Sequence, residues 1–364
     1  MTVNYAFNNA TDSQKTQMKK NYRQLKDQET ISVGDLLDTD IPPQEWIIEG
    51  LVDDEGMDII AGRPKDFKSG FILSACIHIA IGRPFMGLKV KKLRTLIVDE
   101  ENGIRRTDRR LEKLILAMKL TPEEITDLRK NLGFSIWKGI QVTSPEGIQK
   151  LEALIVKHKP KFIVVDSLVR VMTGKENDVG DARKVFHNIK PLFTQYGVKF
   201  QFVHHTRKNG YARVTVEDVR GSGDFIGQVN QLLVMNRDGK TENGVQFFNI
   251  FSGVDRDFYV NRAYGIKFKI YDKLFEDKTG LVVERIGEMQ EGEVPNKADK
   301  VPDLCEKDVL KWAEEEERAV LTSEFVDKFK EKYAQTSVEK ALSVLTKEGK
   351  LIRPRQGRYI AVRD

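Results

Sequence analysis

Five stretches of the chain are apolar almost without interruption: MDIIAG (57–62), RTLIVDE (94–100), KFIVVDS (161–167), VKFQFVHH (198–205) and NQLLVMNR (230–237). Short runs rich in Val, Ile and Phe read as strands buried on both faces, the signature of a parallel sheet. The segments between the first four are long enough for crossover helices, and helix candidates fall at 68–81, 105–118, 146–157 and 181–195. This alternation predicts an α/β fold with a doubly wound, mainly parallel sheet. Three later runs, VQFFNIFS (245–252), IKFKIYD (266–272) and GLVVERI (281–287), follow with no helical pattern between them. They predict an antiparallel extension of the same sheet.

The pattern changes at both ends. Residues 1–30 are polar, rich in Lys and Gln, and predict a flexible N-terminal arm or one loosely docked helix. The compact unit is expected over 31–287. Residues 288–303 are poor in apolar side chains and carry Pro, Gly and charge, as a linker does. Residues 304–364 then read as three short helices followed by the hairpin KLIRPRQGRYIAV, which is the plan of a winged-helix domain.

Composition narrows the class. With 40% hydrophobic and 32% charged residues the chain has the apolar matter for a packed core. Sixty Lys and Arg against 55 Asp and Glu leave a net charge of +5, which permits a nucleic-acid partner and excludes a histone-like polycation. Two distant cysteines, Cys76 and Cys305, exclude a disulfide scaffold, and the five histidines show no ligand spacing. The first residues lack an apolar signal core, and FILSACIHIAI (71–81) is roughly half a membrane span. A cytoplasmic protein with no membrane partner is expected.

The chemistry starts at Gly62. The run Gly62, Arg63, Pro64, Lys65, Asp66, Phe67, Lys68, Ser69, Gly70 follows a predicted strand and opens a predicted helix, in the frame of a phosphate-binding P-loop. Such a loop turns successive backbone N–H groups inward at a helix N-terminus to hold a phosphate. Lys68 would bridge the β- and γ-phosphates of ATP, and the Ser69 hydroxyl would hold Mg²⁺. Phe67 stands where glycine is usual, and a requirement for positive φ there would make it costly. Asp166 ends an apolar strand and is the expected second Mg²⁺ ligand. Of Glu100 and Glu101, at the end of another strand, one is expected to polarise the attacking water.

Taken in order, GRPKDFKS, DEENGIRRTDRRL, IVVDS, HHTRK, RGSGD and a late strand with DRD resemble the RecA-fold ATPases of the RepA type. These are hexameric helicases of plasmids, phages and other mobile elements, related to DnaB-type replicative helicases, and the resemblance covers roughly 45–290. It implies a RecA-like sheet, ATPase activity, a hexameric ring and action on single-stranded DNA. Glu101 matches the catalytic glutamate, with Glu100 second. His205 matches a γ-phosphate sensor at a strand tip. Lys208 and Arg220 match basic positions facing DNA or the neighbouring subunit, and Arg256 matches an arginine finger.

In the last module acidic and basic residues balance, but Lys350, Arg353, Arg355 and Arg358 gather at its end. With Lys340 on the preceding helix they form a candidate contact for duplex DNA, the alternative being a protein-docking module. Three functions are consistent with this reading: a helicase or translocase, an ATP-regulated site-specific initiator or loader without unwinding, and a nucleotide-binding scaffold without turnover.

Overall fold

The computed structural model describes residues 10–173, 179–206, 214–219, 227–238, 243–255, 265–289, 304–316, 318–347, 349–355 and 357–362. The chain begins with helix α1 (Asp12–Lys26), started by a capping box between Thr11 and Gln14. Met18 and Leu25, two turns apart, are its buried side chains. Tyr22 and Lys26 reach Glu55 at 3.3 and 2.9 Å. This part of the polar N-terminal segment therefore takes the helical alternative. A short helix α2 (Val33–Asp38) and the small strands β1 (Trp46–Ile48) and β2 (Val52–Asp53) lead into the main sheet.

That sheet is built from β3 (Met57–Gly62), α3 (Lys68–Ile81), β4 (Thr95–Asp99), α4 (Ile104–Met118), α5 (Pro122–Asn131), β5 (Leu132–Ile136), α6 (Pro145–His158), β6 (Phe162–Asp166), α7 (Val179–Tyr196), β7 (Lys199–His205) and β8 (Gln231–Arg237). It continues in β9 (Gln246–Asp255), β10 (Ile266–Phe275) and β11 (Lys278–Glu288). Nine strands lie in the order β11-β10-β9-β8-β3-β7-β6-β4-β5. The six from β8 to β5 are mutually parallel, and β9, β10 and β11 are antiparallel. The result is an α/β fold with a large, mostly parallel central sheet, consistent with a RecA-like P-loop fold.

Alternation along each buried strand feeds two cores. Ile163 and Val165 face one core with Leu151 and Ile155 of α6 and Phe186 and Ile189 of α7. Phe162 and Val164 face the other with Phe71 and Ile77 of α3, Leu114 of α4 and Leu128 of α5. Helices on both faces are what allow every central strand to be apolar throughout. Two elements went beyond the sequence expectation. Helix α5 starts with a Thr121–Glu124 capping box and a proline in its first turn, and β5 adds the parallel edge strand. Both signals are written in the chain, as T-P-E-E and as the alternation Leu132, Phe134, Ile136.

Beyond β11 come α8 (Leu304–Glu315), β12 (Val320–Leu321), α9 (Thr322–Phe329), α10 (Gln335–Lys347), β13 (Leu351–Arg355) and β14 (Arg358–Ala361). The three strands pair in the order β12-β14-β13. Val309, Phe325, Leu342, Leu345 and Leu351 form a separate core, with Trp312 edge-on to Phe325 at 4.9 Å. Among the described residues no helix is long and apolar enough to cross a membrane.

Candidate active site

Parallel register brings the chemistry together at the carboxyl ends of four strands. Gly62 is paired with His205, and Asp99 with Asp166. Such ends are where open α/β sheets bind ligands. Between β3 and α3, residues 63–67 make the tight loop expected of a P-loop. Lys65 and Phe67 both have positive φ, 72° and 62°. The position of Phe67 thus does require the left-handed conformation, at a cost of about 1–2 kcal/mol for a residue with a Cβ. Its ring packs on the α3 core and lies over Gly70, where an added Cβ would sit 2.3 Å from ring carbons. Glycine at 70 is what lets an aromatic residue occupy 67.

Lys68 is buried and donates to the carbonyls of Gly62 and Arg63 at 2.8 and 2.7 Å. Burial pushes its ammonium down to about 8, against the pull of Asp66, Asp166 and Glu101. Asp66 is raised by burial and lies 3.6 Å from Arg237, whose guanidinium also donates to the Lys65 carbonyl at 3.2 Å. Arg237, at the tip of β8, therefore holds the loop from outside. In the sequence it is simply the last residue of the apolar run NQLLVMNR.

Asp166 is buried, and burial pushes it up to about 6, aided by the charges of Asp99 and Glu101. The Ser69 hydroxyl bonds to it. Its Oδ1 has no hydrogen-bond partner among the described residues. A buried, orphaned carboxylate oxygen beside the Ser69 hydroxyl and within reach of a P-loop fits Mg²⁺, which takes few protein ligands and keeps its waters and substrate phosphates. No group of three or more His, Cys, Asp or Glu clusters for a metal among the described residues.

The two adjacent glutamates diverge. Glu100 accepts from the backbone N–H groups of Lys138, Gly139 and Ile140 at 3.1, 3.2 and 3.1 Å, so it clamps the turn after β5. Glu101 turns the other way, to His205 Nε2 at 3.4 Å. The bond to His205 holds its carboxyl down at about 2, with Lys68 adding to the effect. Of the pair, only Glu101 joins the Lys68 cluster.

Asp99 organises the turn between them and α4. Its Oδ1 accepts from the N–H groups of Glu101 and Asn102 at 3.0 and 2.6 Å. Asn102 in turn accepts from Arg106 and Arg110 at 3.3 and 3.4 Å. Burial lowers Arg110, and Asp166, Asp99 and Glu101 draw it back up. The run RRTDRR reads as a solvated helix start, yet Arg110 turns one guanidinium toward the carboxylates. Helical phase, one turn beyond Arg106, is the signal that marks it.

Lys208, Arg220 and Arg256 lie outside the described residues. Lys340, Arg353, Arg355 and Arg358 are exposed on α10, β13 and β14, and Lys350 is half-buried before β13.

A buried P-loop lysine, a serine–aspartate pair suited to Mg²⁺ and a low-lying glutamate just past the end of a neighbouring strand are the parts of a nucleotide-hydrolysing site. No curated protein matches the chain. The profile of the AAA domain family, a P-loop ATPase family, matches residues 23–211, more than half of the 364 residues, and the chain belongs to that family.

Proposed function

We propose that this protein is an ATP-driven DNA helicase or translocase of the RecA-like, RepA-type hexameric class, acting in replication of a mobile element. The observation that carries the reading is Glu101. It stands two residues past the end of β4, the strand that neighbours that of Asp166, and is bonded to His205 on β7. In RecA-type motors the base that activates water comes from such a neighbouring strand.

In this reading the 62–70 loop and Lys68 bind the β- and γ-phosphates, and Ser69 and Asp166 hold Mg²⁺. The ion, when bound, neutralises charge on the phosphates. Glu101, ionised across the physiological range, accepts the proton of the attacking water, and His205 orients it. Arg256 of a neighbouring protomer completes the site in a ring, and Lys208 and Arg220 face a single strand of DNA. Residues 31–287 form the motor and 288–303 a linker. Residues 304–364 form a winged-helix domain touching duplex DNA through Lys340, Lys350, Arg353, Arg355 and Arg358.

The test is ATP turnover with and without single-stranded DNA, alongside solution mass. Stimulated turnover by an assembled species is expected. Turnover indifferent to DNA, or none, would sink the motor reading. A second reading, a site-specific initiator or loader, is favoured by the exposed arginines Arg353, Arg355 and Arg358 on one hairpin. Strong preference for one duplex sequence without strand separation would select it.

A further inference from the structure

We infer, on the motor reading above, that Trp137 is a stacking platform for one base of a single nucleic-acid strand, at a place separate from the basic positions Lys208 and Arg220.

The ring is exposed and yet held. Trp137 directly follows β5 and is 63% exposed, and every other Trp, Phe and Tyr of the described residues is buried or half-buried. Its φ of 51° lies in the left-handed region, where a residue with a Cβ is strained. Its N–H donates to the Asp99 carbonyl at 3.1 Å. Glu100 fixes the next three residues by accepting from the N–H groups of Lys138, Gly139 and Ile140. The ring itself lies over Gly103, where an added Cβ would stand 2.7 Å from a ring carbon. A strained backbone, a carboxylate committed to one turn and a bare glycine thus combine to hold an indole in solvent. None of them is needed to bury a core residue. Backbone strain of this kind gathers at ligand clamps.

The surroundings select the ligand. Ile104, 67% exposed, adjoins the seat of the ring at Gly103. The other neighbours are mostly cations. Arg105 and Lys138 are exposed, and Lys150 reaches the turn by donating to the Lys138 carbonyl at 3.3 Å. Arg170, also exposed, is brought to the same loop by its carbonyl, which accepts from Gln141 at 2.9 Å. Glu146, in the first turn of α6, is the acidic neighbour, and Glu100 is already taken by the backbone. Two apolar side chains fall far short of the roughly 800 Å² per partner that a stable protein contact buries. One flat ring set among cations is the form of a single-strand site, in which the ring takes a base and the cations take flanking phosphates. Duplex DNA, with its bases stacked on one another, offers the ring no open face.

The place also ties the ring to hydrolysis. Asp99, whose carbonyl receives the Trp137 N–H, holds the Glu101 N–H through its Oδ1 at 3.0 Å. A base seated on Trp137 therefore acts one residue away from the turn that carries the proposed base.

The experiment is titration of the full-length chain with labelled oligo(dT) and with an abasic strand of equal length, for wild type, Trp137→Ala, Trp137→Phe and Gly103→Ala. Strand anisotropy and protein tryptophan fluorescence are the readouts, and circular dichroism checks that the fold is kept. Turnover without DNA should match wild type in both Trp137 variants. Trp137→Ala should weaken oligo(dT) binding by about 5- to 100-fold, the range for losing one stacked base. Trp137→Phe, which keeps a ring, should lose much less, and Gly103→Ala, which pushes the ring off its seat, should fall between. Wild-type fluorescence should be quenched by oligo(dT), and the quenching should vanish in both Trp137 variants although Trp46 and Trp312 remain. The abasic strand should bind wild type more weakly and ignore the change at 137. Stimulation of turnover by oligo(dT) should fall in step with binding. If Trp137→Ala binds oligo(dT) like wild type, or wild type shows no quenching, the stacking site is wrong while the motor stands. If Trp137→Ala weakens both strands alike and lowers the light-scattering mass, Trp137 is a contact between chains and the stacking site is overturned. A wild type that binds neither strand, with turnover indifferent to DNA, overturns the motor reading and this site together.

Discussion

Lys68 and Lys199 are both buried lysines, one opening the helix that follows β3 and the other starting β7 at the opposite end of the sheet, and they are satisfied in opposite ways. Lys199, at the start of β7, is paired with Asp53 and, at 2.8 Å, with Asp58, and it also donates to the carbonyl of Glu55. Lys68, just past the end of β3, reaches only two backbone carbonyls and makes no ion pair among the described residues. The first charge is closed within the chain and holds β2, the start of β3 and β7 together. The second is kept buried among carboxylates that it does not touch. Burial alone therefore does not distinguish a structural lysine from a chemical one. What distinguishes them is whether the chain supplies the counter-charge.

Replacing each lysine by methionine tests the contrast directly. Lys68→Met should reduce ATP hydrolysis by at least about 10²-fold, the scale on which a preorganised charge-stabilising donor acts. Its melting temperature should hold or rise, because a buried charge with no carboxylate partner is removed. A variant that hydrolyses ATP normally, or that unfolds, breaks the contrast from this side.

Lys199→Met should do the reverse, costing about 3–5 kcal/mol in urea unfolding because two buried aspartates lose their cation. The folded fraction should still bind ATP. The pH dependence has a definite sign. Burial pushes Asp58 up to about 7 even beside Lys199. A carboxyl whose folded pKa lies above its unfolded one favours the folded state at low pH and weighs against it as pH rises through that interval. Without Lys199 the push is stronger, so wild type and variant lose stability alike up to about pH 7 and the deficit of the variant should grow as the pH rises through and beyond that value. A deficit that shrinks over that range would mean the cluster is not what Lys199 holds.

The two lysines also differ in how far the sequence revealed them. Lys68 and Ser69 stand in a local motif between strand and helix, and Asp166 and Glu101 end apolar runs, so spacing was enough to single them out. Lys199 looks like an ordinary lysine at a strand start. Its partner Asp53 lies 146 positions away, and only the parallel pairing of β3 with β7 brings them together. Arg110 and Arg237 were hidden for the same reason, since each reaches the loop or its carboxylates through helix phase or sheet order. Glu100 and Glu101 were indistinguishable as neighbours until the turn after β5 took one of them. The same holds for Gly70. Read locally it is a helix-start glycine, but the ring of Phe67 covers it. Gly70→Ala should cost about 1–3 kcal/mol by overpacking. In a Phe67→Gly background the same substitution should be nearly neutral, and a double-mutant cycle with additive effects would count against this coupling.

The smallest effect is also the one that isolates Lys68 from the carboxylates around it. On the proposed reading, nucleotide binding with Mg²⁺ needs Asp166 ionised and Lys68 protonated. Burial has moved the two toward each other, Asp166 up to about 6 and Lys68 down to about 8. Affinity for ATP, read by fluorescence titration of the free protein, should therefore be flat between those values. Outside them it should weaken, by at most about tenfold per pH unit for one titrating group. Glu101 lies at about 2 and stays charged throughout, so it contributes to neither limb. Glu101→Gln should then keep the whole binding profile while losing turnover. A phosphate bound at Lys68 favours the ammonium, so binding on the alkaline side should take up a proton from the buffer. Lys199, closed by its own aspartates, should give no such linkage, and Lys199→Met should leave the alkaline limb where it was. If that limb moves with Lys199 and not with Lys68, the assignment of structural and chemical lysine is reversed.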